Sequence, residues 1–184
     1  SNILDIGSND GVLLRPLKKL GVKSLGIDPS INVAKIANDQ GFETIVGFFD
    51  KNSVKNIIST HGKPDVIVAS SVFTHLENPK VFANDLNDLI DDEGTIIIEI
   101  EYLVKIIEKF QFERFYFDRP FYYSVTSLNV LFLKYGLKIY NIENIDPHGG
   151  SLRIFITKTT SKKNVNNKVI TILKAEEKKL NKNK

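Results

Sequence analysis

Two carboxylates and two glycines early in the chain have the types and spacing of a cofactor site. Asp5-Ile6-Gly7-Ser8-Asn9-Asp10-Gly11 follows an apolar run (Ile3, Leu4, Ile6) and precedes a helical pattern of Val12, Leu13, Leu17 and Leu20. Strand, glycine turn and helix form the context in which a backbone cradles a nucleotide-type cofactor. Gly7 lets the chain turn sharply off the strand, and Gly11 keeps a Cβ away from a ligand close to the helix start. Asn9 lies between them. Asp28 ends the next apolar run, Ser24–Asp28, 21 residues after Gly7. At that spacing a carboxylate can grip the two ribose hydroxyls. A nicotinamide loop reads Gly-x-Gly-x-x-Gly, whereas this one reads Gly-x-x-x-Gly. Asp5 beside the loop suits a cofactor with a positive charge and an ammonium group, namely S-adenosylmethionine. The bland alternative is a structural turn in another doubly wound protein.

The elements that must position these residues alternate along the chain. Apolar runs predict strands over Asn2–Ile6, Ser24–Asp28, Glu43–Val46, Asp65–Ala69 and Gly94–Glu101. Amphipathic stretches predict helices over Val12–Leu20, Ile31–Gln40, Ser53–Thr60 and Pro79–Ile90, with Ser30 as an N-cap. A further helix follows at Thr126–Tyr135, then strands Leu137–Glu143 and Ser151–Thr157. The turn cluster Asp146-Pro147-His148-Gly149-Gly150 between them predicts antiparallel pairing. The expectation is an α/β, doubly wound, mostly parallel seven-stranded sheet closed by an antiparallel hairpin. That is the layout of the class I methyltransferase fold.

The 184 residues, 42% hydrophobic and 26% charged, suit one globular domain. There is no Cys, which excludes a disulfide scaffold and a cysteine zinc site within this chain. No apolar run approaches the ~20 residues of a membrane span, and no signal peptide is visible, so a cytoplasmic setting is expected. Because the first residues already read as a strand and Met is absent, the natural protein is expected to begin upstream. From Lys158 onward nine Lys face only Glu176 and Glu177, against a whole-chain charge of +3. A basic tail can touch nucleic acid. The preferred reading is an amphipathic helix over residues 159–184, its apolar face (Val165, Val169, Ile172, Leu173, Leu180) docking on an element this chain lacks.

Three segments resemble a family. Ile3-Leu4-Asp5-Ile6-Gly7-Ser8-Asn9-Asp10-Gly11, Val68-Ala69-Ser70-Ser71-Val72-Phe73-Thr74-His75 and His148-Gly149-Gly150-Ser151-Leu152-Arg153 are similar to the sugar C-methyltransferases. Those enzymes methylate nucleotide-linked 4-keto deoxysugars. The resemblance covers most of the chain, to about Thr157, and the domain it marks is read as residues 1–158. It implies a SAM-binding methyltransferase domain there, with an N-terminal zinc-binding domain and a longer C-terminal substrate domain lying outside this chain. It also implies a small-molecule partner, a nucleotide-sugar, and neither nucleic acid nor membrane.

Further sites follow from position. Asp50, with Phe48 and Phe49, follows the third strand, where adenine would lie. Either Asp50 meets the adenine amino group and a ring such as Phe49 stacks on it, or these are a loop Asp and core rings. Ser70 ends the fourth strand at the carboxyl edge, where cofactor and acceptor meet. The family often has Asn-Asn where this chain has Ser70-Ser71, and the lack of prolines there argues against base amino methylation. By the resemblance, His75 and His148 contact the acceptor. Read from the residues alone, His75 packs on Phe73 and His148 sits exposed in a turn.

The segment Phe112–Ser124 is aromatic, charged and aperiodic, as expected of a loop over the pocket. The family has Tyr-His-Glu-His here, and this chain reads Tyr116-Phe117-Asp118-Arg119. Asp118 is thus a candidate base for removing a proton beside a carbonyl. Arg119, always protonated, can only pair with phosphate or an enolate, or with Asp118 to hold the loop. Carbon methylation is the first expectation. Oxygen or nitrogen methylation of another glycan precursor, or a non-catalytic module of the same fold, are the alternatives.

Overall fold

The computed structural model describes residues 2–147 and 150–181. Seven strands form one sheet in the order β3-β2-β1-β4-β5-β7-β6. β1 (Asn2–Ile6), β2 (Lys23–Asp28), β3 (Thr44–Val46), β4 (Val66–Ser70) and β5 (Thr95–Glu101) run parallel. β7 (Ser151–Lys158) pairs antiparallel with both β5 and β6 (Leu137–Ile145). The mostly parallel sheet with its terminal hairpin is the class I methyltransferase architecture expected from the sequence. Strand order reverses at β1, so a crevice opens beyond the carboxyl ends of β1 and β4.

Period-two alternation divides the sheet into two faces. Leu4, Ile6, Ile67, Ile96, Ile98 and Ile154 are buried in one cluster with residues of α3 (Lys51–His61), α4 (Pro79–Leu89) and α6 (Val125–Lys134). In α4, Asn78 caps the first turn, Pro79 pre-sets its φ, and Phe82, Leu86 and Leu89 recur at helical spacing to meet the sheet. Burying each such side chain contributes about 1.5–3 kcal/mol relative to exposure. The other face is covered beside β2 by α1 (Leu14–Lys19) and α2 (Ile31–Asp39), which close on Leu14, Ala37 and Phe42. Further along that face Asp5, Val68, Ile97 and Phe155 line a cavity.

Three expectations are corrected. The first helix begins at Leu14 rather than Val12, because Gly7, Asn9 and Gly11 all take positive φ and widen the turn. A short helix α5 (Leu103–Glu108), unforeseen in the sequence, follows β5. The C-terminal helix α7 (Asn167–Asn181) docks on this domain itself, not on an absent element. It packs against α6 and β6. Val169 is buried, and Ile172 and Leu173 pack on the main core.

One polar contact fixes α7. The buried Glu176 carboxylate accepts from Tyr102 Oη (2.6 Å), Val125 N (3.0 Å), Thr126 N (2.7 Å) and Thr126 Oγ1 (2.6 Å). It thereby caps α6 from outside that helix. Burial pushes the Glu176 carboxyl up, but the bonds from Thr126, Tyr102 and the backbone outweigh it and hold the group below its ordinary value of 4.5. Removing the charge should strand buried donors. Glu176→Gln should cost ~1.5–3 kcal/mol in urea unfolding at pH 7, the range for a bond to a charged group. The depressed pKa sets the sign with pH. Its contribution is full above the ordinary glutamate range and is lost as pH falls through the folded value, a slope Glu176→Gln should lack.

Candidate functional site

The loop after β1 is held by Asp28, the last residue of β2. Its Oδ2 accepts from Asn9 N and its Oδ1 from Ser30 N, both at 2.9 Å. Ser30 stands at the N-cap of α2 without a side-chain bond to the helix, and the Asp28 bond to its N–H fixes the turn leading into α2. Gly7 N and Ser8 N donate to Ile27 O at 2.8 and 3.3 Å. Gly7 has φ +73°, and a Cβ there would lie 2.5 Å from Val72 Cγ2, so the loops after β1 and β4 press together. Gly11 has a different reason from the expected one. A Cβ at Gly11 would meet the Phe42 ring at 2.7 Å, so the residue makes room for the α1–α2 core rather than for a ligand.

A cavity of about 430 Å³ opens against this loop. Asp5, Gly7, Asn9 and Ser70 line it, with Glu99 and Arg153 from β5 and β7. Asp5 is only 6% exposed and has no cation beside it among the described residues. Burial, then the neighbouring Asp28 carboxylate, pushes its carboxyl from 3.8 up to about 7. Ser8 Oγ is also buried without a hydrogen-bond partner. A buried carboxylate seeking a cation, beside a second carboxylate at the strand end, fits a ligand with both a positive group and ribose hydroxyls.

Asp50 and Phe49 are engaged elsewhere. Asp50 Oδ1 accepts from Asn52 N and Ser53 N at 2.9 Å, and Asp50 N donates to Ser53 Oγ, a capping box on α3. Phe49 packs edge-on against Phe82 with centroids 5.1 Å apart, whereas Phe48 is exposed. Neither Asp50 nor Phe49 lines the cavity.

A second, smaller cavity adjoins the first at the strand ends, lined by Ser71, Thr74, Glu99, Glu101, Arg119 and Ser151. His75 does not pack on Phe73, which lies in the core among Phe82, Tyr123 and Phe132. It reaches the aromatic loop instead: His75 Nδ1 is 3.1 Å from Asp118 O and 3.4 Å from Asp118 Oδ2. The Asp118–Arg119 pair expected as the bland reading does not form. Arg119 Nη1 forms an ion pair with Glu101 Oε1, with Arg114 Nη1 3.6 Å from the same oxygen. The Tyr116 ring stacks under Arg119, 4.6 Å from the guanidinium carbon. Tyr122 Oη ties the loop together, donating to Arg114 O and accepting from Tyr116 N at 2.7 Å each. His148 lies outside the described residues.

Glu99, Glu101 and Arg153 were not assigned from the sequence. The signal was present: Ile96-Ile97-Ile98-Glu99-Ile100-Glu101 puts two carboxylates two apart in an otherwise apolar central strand, hence on one face. Arg153 Nε donates to Glu99 Oε1 at 2.8 Å, and its Nη2 lies 2.7 Å from the same atom. Among the described residues no group of three His, Cys, Asp or Glu is placed to hold a metal, and no helix is long and apolar enough to cross a membrane.

The raised Asp5 pKa gives a signed prediction. Between about pH 4 and 7 the unfolded chain has lost this proton while the folded chain keeps it, so stability should fall as pH rises. Roughly three units at 1.36 kcal/mol each make the loss about 4 kcal/mol. Asp5→Asn should flatten this slope and be the more stable protein at pH 8, measured by urea unfolding across pH. An unchanged slope would place the titration elsewhere.

Residues 1–142 match the family described as a methyltransferase domain. The chain is 31% identical over 153 residues to the C-methyltransferase NovU of Streptomyces niveus, covering 83% of this chain and 36% of that protein. It is 30% identical over 101 residues to the mitochondrial ubiquinone biosynthesis O-methyltransferase of Rattus norvegicus, covering 52% of this chain and 29% of that one. It thus spans about a third of the length of these relatives. Among solved structures, magnesium protoporphyrin IX methyltransferase from Synechocystis PCC 6803 with bound SAH superposes with a TM-score of 0.66 at 14% identity, over 85% of this chain and 74% of that one. The methyltransferase of Haloferax volcanii solved with its Trm112 activator gives 0.68 at 14%, over 85% and 81%. With most of its length matched, this chain belongs to the methyltransferase domain family.

Proposed function

We propose that this protein binds S-adenosylmethionine in the larger cavity and methylates a small acceptor presented at the smaller one, a nucleotide-linked keto sugar at carbon. The observation that carries the reading is the buried Asp5 carboxylate behind the Gly7 loop, with Asp28 at the next strand end. Asp5 supplies the counter-charge for the ammonium end of the ligand, and Asp28, each oxygen holding one backbone bond, accepts from the ribose hydroxyls. Gly7, Asn9 and Ser70 shape the wall. The bound cofactor supplies an electrophilic methyl group, and the protein aligns the acceptor with it. Arg119 lines the smaller cavity, with Tyr116 stacked on it and Asp118 beside His75, which supports reading these four as acceptor-side groups together with His148, which precedes Ser151 in the motif.

The name of the S. niveus relative supports carbon as the methylated atom. The nucleotide-sugar rests on the resemblance of the His148–Arg153 segment. Oxygen methylation is the second reading: several relatives are named O-methyltransferases, and Phe117 and Arg119 stand where the resembling family has histidines. Residues 1–158 are read as the cofactor-binding unit. Flanking parts of the relatives' greater length would complete the acceptor site.

Calorimetry with S-adenosylmethionine, S-adenosylhomocysteine and NAD tests the cofactor. Both adenosyl ligands should bind far more tightly than NAD, and at pH 6 to 7 binding should release protons as Asp5 ionises against the cation. Preferential NAD binding would sink the assignment. Asp28→Ala should weaken adenosyl binding by at least ~1.5–3 kcal/mol, the range for hydrogen bonds to a charged group.

A further inference from the structure

Glu99 is the carboxylate shared by the two cavities. It lines the larger beside Gly7, Asn9 and Ser70, and the smaller beside Ser71 and Arg119. Its position is fixed by sheet register, with Ser70 opposite on β4 and Arg153 opposite on β7. Arg153 addresses a single oxygen, Oε1, through both Nε and Nη2. Oε2 accepts no hydrogen bond among the described residues. The other acids nearby are differently placed. Asp118 is 69% exposed and turned toward His75, and Glu101 is engaged by Arg119 and Arg114.

We infer that Glu99 is the general base of the reaction, with Arg153 as its positioning residue; the inference rests on the keto-sugar reading. Glu99 Oε2 takes the proton from the carbon beside the acceptor carbonyl. The O–H bond forms as the C–H bond breaks, the electron pair stays on carbon and delocalises onto the carbonyl oxygen as an enolate, and the proton leaves Glu99 to water. Arg119, always charged, contributes positive potential in the same cavity. Arg153 holds the side chain on the boundary between acceptor and cofactor. The Ser151-Leu152-Arg153 segment thereby spans the two cavities, with Ser151 lining the smaller and Arg153 the larger.

Proton removal can be read without methyl transfer. The full-length protein is saturated with S-adenosylhomocysteine in deuterium oxide and given a nucleotide-linked 4-keto-6-deoxyhexose, and deuterium uptake beside the carbonyl is followed by NMR. The wild type should exchange well above the buffer rate. Glu99→Gln should be slower on the order of 10²–10⁴-fold, compared at saturating S-adenosylhomocysteine, because Glu99 also lines the cofactor cavity. Glu99→Asp keeps the charge facing Arg153 but withdraws the oxygen, and should lose ~10²-fold. It carries the test if the Gln variant fails to fold. Arg153→Lys should lower the rate and shift its pH profile, which a merely structural role would not do. Wild-type exchange in the Glu99 variants overturns the inference and leaves the proposed function standing if methyl transfer persists. No exchange by the wild type overturns both this inference and the keto-sugar reading, while adenosyl binding would still report on the cofactor.

Discussion

The Asp28 carboxylate is the joint on which the site depends. One oxygen holds the loop that leaves β1 and the other holds the first turn after β2. The two successive crossovers that leave β1 and β2 are therefore tied at one point. Removing that tie frees two backbone donors and lets the Gly7 loop drift from the wall it forms. The loop has little slack: Gly7 lies against Val72 and Gly26 lies under Ser8. A carboxylate with both oxygens committed to backbone still has lone pairs to accept from a ligand. The structural role of Asp28 is thus compatible with the binding role proposed for it.

Alternation along the strands then decides which chemistry is possible. Odd-numbered residues of β5 face the cavities, even-numbered ones the core formed with α4 and α6. Thus Ile96, Ile98 and Ile100 anchor the sheet while Ile97, Glu99 and Glu101 form a gradient toward the strand end, from apolar to acidic. Ser70, Glu99, Arg153 and Glu143 form a polar row across four strands. Such a row on a partly buried face must be internally compensated, because an unpaired ion there would cost several kcal/mol. Arg153 between two glutamates supplies that compensation, close to Glu99 and 3.8 Å from Glu143.

Much of this was legible in the residues. Every strand and most helices follow from apolar period and from Asn, Pro and Ser at helix starts, because those signals are local. The Gly7 loop and Asp28 were readable because the cofactor context is a contiguous strand, turn and helix. What escaped was long-range pairing. Nothing near Asp118 or Arg119 says that one turns to His75, forty-three residues earlier, and the other to Glu101. Nothing near Lys168 or Lys174 says that Glu176, among so many lysines, would be buried on Tyr102 and the start of α6. The lysine-rich pattern does mark a helix, but the partner of its apolar face lies in the same chain. Asp50 shows the converse limit, since a loop Asp after a strand has the same local sequence whether it caps a helix or meets a base.

The aromatic loop shows how one substitution reorganises a site's electrostatics. Where the resembling family has a titratable His, this chain has Arg119, which holds its proton at every physiological pH. A guanidinium that is largely buried requires an anion, and Glu101 at the end of β5 provides it, with Tyr116 stacked on the other side. Arg119 therefore depends on Glu101, which also faces Arg114, and losing Glu101 would leave the Arg119 guanidinium without its carboxylate. Arg119 cannot relay a proton, so proton transfer falls to groups outside this pair. His75, half-exposed, is hydrogen-bonded to the loop backbone at Asp118 and lies 3.4 Å from the Asp118 carboxylate. The loop is thus anchored at two points, through Arg119 on Glu101 and through Asp118 on His75.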